Sequence, residues 1–258
     1  MNDVTAALMV IGDEILSGRT TDKNINYLAT HCTAVGIRLE EVRVVSDKED
    51  RIVEALNILR RSYDYVFTTG GIGPTHDDIT AQSVAKAIGV DLVENQEAIA
   101  IMEARYPGEV LSEGRRLMAR IPVGGELVKN TVSGAPGFMI ENVIVMAGVP
   151  KIMQVMLDDV TPKLRTGRRL LSRTFVVQHP ESTVAQLIGR LDEENEGISL
   201  GSYPYFKLGK VGTVIVLRGV DEDLLNQVCL EFVAELKREN KDFEEDLEST
   251  ELKPLSFD

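Results

Sequence analysis

Little in this sequence provides for a covalent staple, a membrane span or a nucleic-acid partner. Its two cysteines, Cys32 and Cys229, lie far apart and match no metal-ligand spacing, so the chain relies on its core rather than on bridges. Thiols used as small core residues suit a reducing compartment, and the expected location is the cytoplasm. The apolar run near the N-terminus, Ala6 to Ile11, is too short for a bilayer span and for an ordinary signal h-region, so no membrane association is expected. Positive charge is scarce: 28 Lys and Arg stand against 41 Asp and Glu, a net charge of −13 at pH 7. Affinity for nucleic acid comes mainly from Lys and Arg replacing condensed counterions, so no nucleic-acid partner is expected either. There is no internal repeat and no low-complexity tract. His31 and His179 suggest no ligand set, and no Ser-His-Asp or Cys-His nucleophile can be assembled from the sequence.

What remains is a composition of 43% hydrophobic and 27% charged residues, enough to bury a full core without staples. The apolar run Ala6 to Ile11 reads as a buried strand ending at Gly12. Asp22 then caps a helix that carries Ile25, Leu28, Ala29 and Cys32 at helical spacing until Gly36. Ile37 to Val45 reads as a strand, Asp47 to Arg61 as a helix and Tyr63 to Thr69 as a third strand. The alternation β-α-β-α-β demands parallel crossovers, hence an open α/β sheet with ligands at the carboxyl ends of its strands. Helices are expected over Asp77 to Ile88 and Glu94 to Tyr106, a strand over Val143 to Ala147, and a helix after Gly148-Val149-Pro150. The pattern changes near Thr166-Gly167. The expected organisation is a large α/β domain over 1–167, a smaller α/β domain over 168–240, and an acidic, disordered tail over 241–258.

The chemistry concentrates in Thr69-Gly70-Gly71-Ile72-Gly73-Pro74-Thr75-His76-Asp77-Asp78. Glycines after a strand let the backbone approach a ligand, and successive N–H groups beside a helix start form an anion site; Pro74 is placed where a helix can begin. Asp77 and Asp78 have two readings, as partners of the helix dipole or as ligands. A phosphate beside two carboxylates would be repelled unless a hard cation lay between them. A second acidic turn, Gly12-Asp13-Glu14, leaves the first strand at the same sheet edge, so the two turns are expected to converge. Asp47, after the second strand, belongs to that edge and serves either the site or as a helix cap. Thr80 offers a hydroxyl to the site or is an ordinary helix residue. His76 reads more as a bystander than a catalyst, and Arg115 and Arg116 either reach a substrate phosphate or form a solvated face.

Gly12-Asp13-Glu14-Ile15-Leu16 with Asp22 and Asn24, and Thr69 to Thr80, closely resemble the molybdopterin-binding (MoaB/Mog-like) domain family. Within it the nearest likeness is to the N-terminal domain of CinA (competence/damage-inducible protein A) and to the related domain joined to eukaryotic FAD synthase. Ala135-Pro136-Gly137-Phe138, Gly148-Val149-Pro150 and Gly201-Ser202-Tyr203-Pro204 extend it from residue 4 to about 238. The resemblance implies a three-layer α/β fold and a loop that holds the phosphate of molybdopterin or of its adenylylated form, with Asp78 functionally important. For the CinA-like branch it implies metal-dependent cleavage of ADP-ribose, and for the FAD synthase branch cleavage of FAD.

On that basis the site is read as Asp78 and Asp77 for catalysis, and Asp13, Glu14 and Asp78 for a divalent metal (Mg, Mn or Co). Thr69, Gly70, Gly71, Gly73, Pro74, Thr75, Thr80, Asp47 and Arg116 are read as ligand-binding. The ligand is a phosphorylated nucleotide or pterin, molybdopterin included, and the resemblance implies a homo-oligomer. No amidohydrolase domain of full-length CinA and no FAD-synthesising domain is expected after Lys237. The usual Pro-Gly-x-Pro appears as Ala147-Gly148-Val149-Pro150. Three functions remain open: dinucleotide pyrophosphatase, molybdopterin binding or adenylyl transfer, and a non-enzymatic interaction module.

Overall fold

Why the site collects at one edge is visible in the order of the strands. A computed structural model describes residues 3–105, 107–108, 110–207 and 210–246. It divides into two compact units, Met1–Cys32 with Ile37–Gly167, and Thr33–Gly36 with Arg168–Asp258.

The first unit carries a six-stranded sheet built from β1 (Val4–Ile11), β2 (Ile37–Val45), β3 (Tyr65–Thr69), β6 (Glu126–Val128), β7 (Gly137–Ile140) and β8 (Val143–Met146) in the order β2-β1-β3-β8-β7-β6. β1 pairs in parallel with β2 and β3, and β3 with β8, while β7 and β6 complete the sheet antiparallel. β1 is buried along almost its whole length, as its unbroken apolar run requires. On one face Ala7, Met9 and Ile11 pack with Ile52, Ala55, Leu56 and Leu59 of α3 (Glu49–Ser62) and with Val84 and Ala87 of α4 (Thr80–Ile88). Leu8 and Val10 point to the opposite face by the two-residue period of a strand. Two further helices, α2 (Asn24–Ala34) and α7 (Pro150–Val160), bury Leu28, Cys32, Met153, Met156 and Leu157. Pro150 occupies the first turn of α7, where its missing N–H costs nothing.

Several elements differ from the sequence expectation. A four-residue helix, α1 (Asp13–Leu16), follows Gly12. The short strands β4 (Leu92–Glu94) and β5 (Arg120–Pro122) form an antiparallel pair beside α5 (Gln96–Arg105) and α6 (Glu113–Leu117). Tyr106, the expected end of α5, lies outside the described residues. The helix expected from Asp77 begins only at Thr80, because residues 73–78 close into a turn of their own.

The second unit is a four-stranded antiparallel sheet, β10-β11-β9-β12, from β9 (Leu171–Val177), β10 (Ile198–Lys207), β11 (Lys210–Gly219) and β12 (Phe243–Asp246). Helices α8 (Ala185–Glu194) and α9 (Glu222–Arg238) pack on it around Phe175, Leu191, Ile215, Leu217, Val228 and Phe232. β12 falls within the segment expected to be a disordered tail. Phe243 packs against this core, 6.4 Å from the Phe175 ring, and that contact outweighs the acidic composition around it. The rest of that tail, 247–258, lies outside the described residues.

Candidate functional site

Four parallel strands end at one edge, and each delivers a turn there. Gly12 follows β1 and Asp47 follows β2; Gly70 follows β3 and Gly148 follows β8. Gly12 donates its N–H to Val45 O at 3.1 Å, and Gly70 to Met146 O at 3.2 Å, which ties neighbouring turns together.

The Gly70 loop needs glycine twice over. Gly70 has φ +103°, and a Cβ there would lie 2.1 Å from Ile11 O; Gly71 has φ +65°, and its Cβ would lie 2.2 Å from Thr80 Oγ1. Thr80, a candidate ligand hydroxyl, is fully buried. It donates Oγ1–H to Gly70 O at 2.9 Å and its N–H to Gly71 O at 2.9 Å, so it positions the loop. The N–H groups of Gly71, Ile72 and Gly73 have no intramolecular acceptor among the described residues. Such a run of open amides is the anion-binding feature read from the glycines.

Asp78 turns back over this loop. Its Oδ2 accepts the Thr75 N–H at 2.8 Å and also the Thr75 hydroxyl, and a Cβ on Gly73 would lie 2.6 Å from the same oxygen. One carboxylate oxygen is therefore committed to the loop while Oδ1 is not. Asp77 and Asp78 precede α4 rather than occupying its first turn, so the dipole reading of them fails. Thr75, Pro74 and His76 are exposed, the His76 side chain at 97%.

Two clefts share Gly71, Ile72, Gly73, Asp78 and Met118. One continues to Ala81, Gln82, Arg120 and Phe138; the other, about 540 Å³, is also lined by Glu14, Pro74, Asn130 and the Ala147 to Pro150 turn. Asn130 knots the far wall. Its Oδ1 accepts the N–H groups of Val132 and Ser133, and its Nδ2 donates to Ala135 O at 2.9 Å. Arg120, Met118 and Asn130 went unnoticed in the sequence, where nothing local distinguishes them from surface or core residues.

The second acidic turn converges as expected, but it divides. Glu14 and Asp78 line the larger cleft, whereas Asp13, Asp47 and Asp77 line neither cleft. Asp47 Oδ2 accepts the Asp13 N–H at 2.8 Å, so it ties down the first residue of α1 and does not cap α3, whose N-cap is Lys48. Burial pushes the Asp47 carboxyl above its ordinary range against the pull of that hydrogen bond, and the charges of Asp13, Glu14 and Asp77 push the same way. Arg116 lines neither cleft: it is paired through two nitrogens with Glu94, at 3.0 and 2.6 Å. That pairing answers its two sequence readings in favour of a solvated ion pair.

Carboxylate oxygens are the donors a hard divalent cation takes, and such a cation commonly holds only one or two of them together with waters and phosphate oxygens. Glu14 and Asp78 on one cleft meet that description. Among the described residues no group of three or more His, Cys, Asp or Glu is gathered as a self-sufficient metal cage. The thiols take no part, since burial pushes Cys32 up to about 12 and Cys229 to about 11. No helix of the described residues is long and apolar enough to cross a membrane.

Residues 7–166 match the family described as "Probable molybdopterin binding domain". The chain belongs to that family. Residues 169–244 match the "FAD synthase, middle domain", so the family domain here is joined to a second recognisable unit. A protein of Archaeoglobus fulgidus is 30% identical over 87% of this chain and 95% of its own length. One from Thermococcus kodakarensis is 34% identical over 77% and 85%. Among solved structures, the crystal structure of the protein CinA, of unknown function, from Thermoplasma acidophilum is 33% identical with a TM-score of 0.60, covering 63% of this chain and 99% of that one. The chain is thus a CinA-like member of the molybdopterin-binding domain family.

Proposed function

We propose that this protein is a metal-dependent pyrophosphatase acting on dinucleotides of the ADP-ribose or FAD kind. The observation that carries the proposal is the meeting, in one cleft, of three open amides at Gly71 to Gly73 with two carboxylates, Glu14 and Asp78. Amides alone suit any anion. Carboxylates beside them repel an anion unless a cation is shared, so the pairing favours a ligand that arrives with a divalent metal. The match of residues 169–244 to a FAD synthase domain and the likeness to CinA support a dinucleotide over a simpler phosphate.

In this reading the Gly71 to Gly73 amides bind the non-bridging oxygens of the diphosphate and orient one phosphorus for attack by water. The Thr75 hold on Asp78 Oδ2 fixes that carboxylate before ligand arrives. Glu14 and Asp78 would hold Mg²⁺, Mn²⁺ or Co²⁺, which supplies charge neutralisation and Lewis acidity when bound. Water attacks phosphorus, the bridging P–O bond breaks, and AMP leaves with the other monophosphate. Asp77, expected to be catalytic, lies off the cleft and acts in this reading only through its charge near Asp47.

Incubation of the purified protein with ADP-ribose or FAD and each of the three metals is expected to yield AMP; none in any combination would sink the proposal. The family description over residues 7–166 favours a second reading, in which the same loop holds a pterin phosphate for binding or adenylyl transfer. That reading expects molybdopterin affinity without AMP release from either dinucleotide.

A further inference from the structure

Beside the larger cleft, and sharing Glu14, Thr20, Gly148 and Pro150 with it, lies a cavity of about 270 Å³. Its walls include two polar residues that are almost fully buried, Asn24 at 3% exposure and Thr69 at 1%. Asn24 Oδ1 and Thr69 Oγ1 are both buried without a hydrogen-bond partner. For Asn24 the assignment of atoms is fixed, because Nδ2 donates to Gly148 O at 2.8 Å and the remaining atom must be the acceptor. Buried polar atoms are ordinarily paired, so two orphans on residues that line one cavity call for an occupant that pairs them.

The charge around the cavity says what kind of occupant. Glu14 and Asp22 line it against a single ammonium, Lys23, so it is net negative and disfavours a phosphate. Asp22 is itself committed through Oδ1 to the Ile25 N–H at 2.7 Å. The open amides that suit phosphate belong instead to the adjoining cleft. At about 270 Å³ the space admits one ring system.

We propose that this cavity seats the neutral, ring-bearing half of the ligand. A nucleoside-like group would donate an N–H or O–H to Asn24 Oδ1 and pair with the Thr69 hydroxyl, while its phosphates lie on the Gly71 to Gly73 amides. The assignment rests on the dinucleotide reading above and adds to it a subsite on the far side of Gly70.

Thr69→Val tests it, because it removes the orphan hydroxyl at nearly constant volume and breaks no hydrogen bond of the protein. Calorimetric titration with ADP-ribose, adenosine and inorganic pyrophosphate should show the first two weakened about fivefold, in keeping with the loss of one hydrogen bond, and pyrophosphate unchanged. Thr69→Ser should restore both, and Tm should stay level or rise in Thr69→Val. Thr68→Val, whose hydroxyl is also buried and unpaired but lines none of this cavity, should change no affinity. Equal weakening of adenosine and pyrophosphate, or no change in either, overturns the assignment, as does failure of any ring-bearing probe to bind. Adenosine binding that depends on Thr69, with ADP-ribose left uncleaved, would overturn the pyrophosphatase reading alone. Cleavage of ADP-ribose that is indifferent to Thr69→Val would overturn the cavity assignment alone.

Discussion

The two units spend their polar groups differently. In the second, polar side chains are satisfied locally: Ser202 donates to Glu181, Tyr203 accepts from Arg218 at 2.9 Å, and Arg190 is shared between Glu194 and Glu231. In the first, a run of backbone amides is open, and the three buried side-chain atoms without partners among the described residues, on Asn24, Thr68 and Thr69, belong to it. Topology explains part of this. The parallel strands of the first unit must be joined by crossovers, whose turns gather at one edge with their backbone groups exposed. Binding chemistry is therefore expected in the first unit.

The largest expected effect comes from Gly71→Ala. A Cβ placed 2.2 Å from Thr80 Oγ1 on a residue with φ +65° cannot be accommodated without moving the loop. The change should cost about 3 kcal/mol or more of stability in the first unit and abolish phosphate binding. Hydrogen exchange should rise in β1, β3 and β8 while β9, β10 and β11 keep their protection. Equal loss in both units would show that the contrast between them is not thermodynamic. Next in size is Asp78→Asn, which keeps an acceptor for Thr75 but removes the charge. Turnover of ADP-ribose should fall on the order of 100-fold with metal affinity weakened alongside it; wild-type kinetics and metal-dependent binding in this variant would remove Asp78 from the site.

The smallest effect belongs to Asp47→Asn. A carboxyl whose pKa is raised on folding stabilises the fold below its unfolded pKa and loses that contribution as pH rises through the folded value. At neutral pH Asp47 is thus a mild liability among Asp13, Glu14 and Asp77. Asparagine retains an oxygen for the Asp13 N–H, so Tm at pH 7 should rise by roughly 1–2 °C after allowance for solvent screening. The gain should shrink as pH falls into the carboxylate range. A Tm that falls instead, at low ionic strength, would mean that the acids do not repel one another as placed.

Much of this was legible from the sequence because the signals are local and long. β2 runs over Ile37–Val45 as its apolar pattern indicates, and α3 follows its apolar stripe to within two residues. The three- and four-residue strands β4 to β7 were invisible, being too short to show a period, and β12 was hidden because one phenylalanine anchors an otherwise acidic stretch. In the site, the glycines announced the loop and the strand order brought Gly12 and Gly70 to one edge. The pairing of Asn24 with Gly148 could not be read, since the partners lie 124 positions apart and meet only through the fold. The place of Thr80 could not be read for a related reason: its hydroxyl is turned inward by a loop whose shape no single residue reveals.

Gly70 and Gly148 approach so closely that a Cβ on Gly148 would lie 3.3 Å from the Gly70 Cα. The two turns are therefore a single backbone joint made from distant parts of the chain, and lengthening or reshaping one has no slack in the other. Anyone seeking to redirect this protein to another ligand has to leave that seam alone and work through side chains that merely face the cleft, such as Met118, Ala135 and Ile152. A library built on loop length would spend most of its members on chains that cannot close.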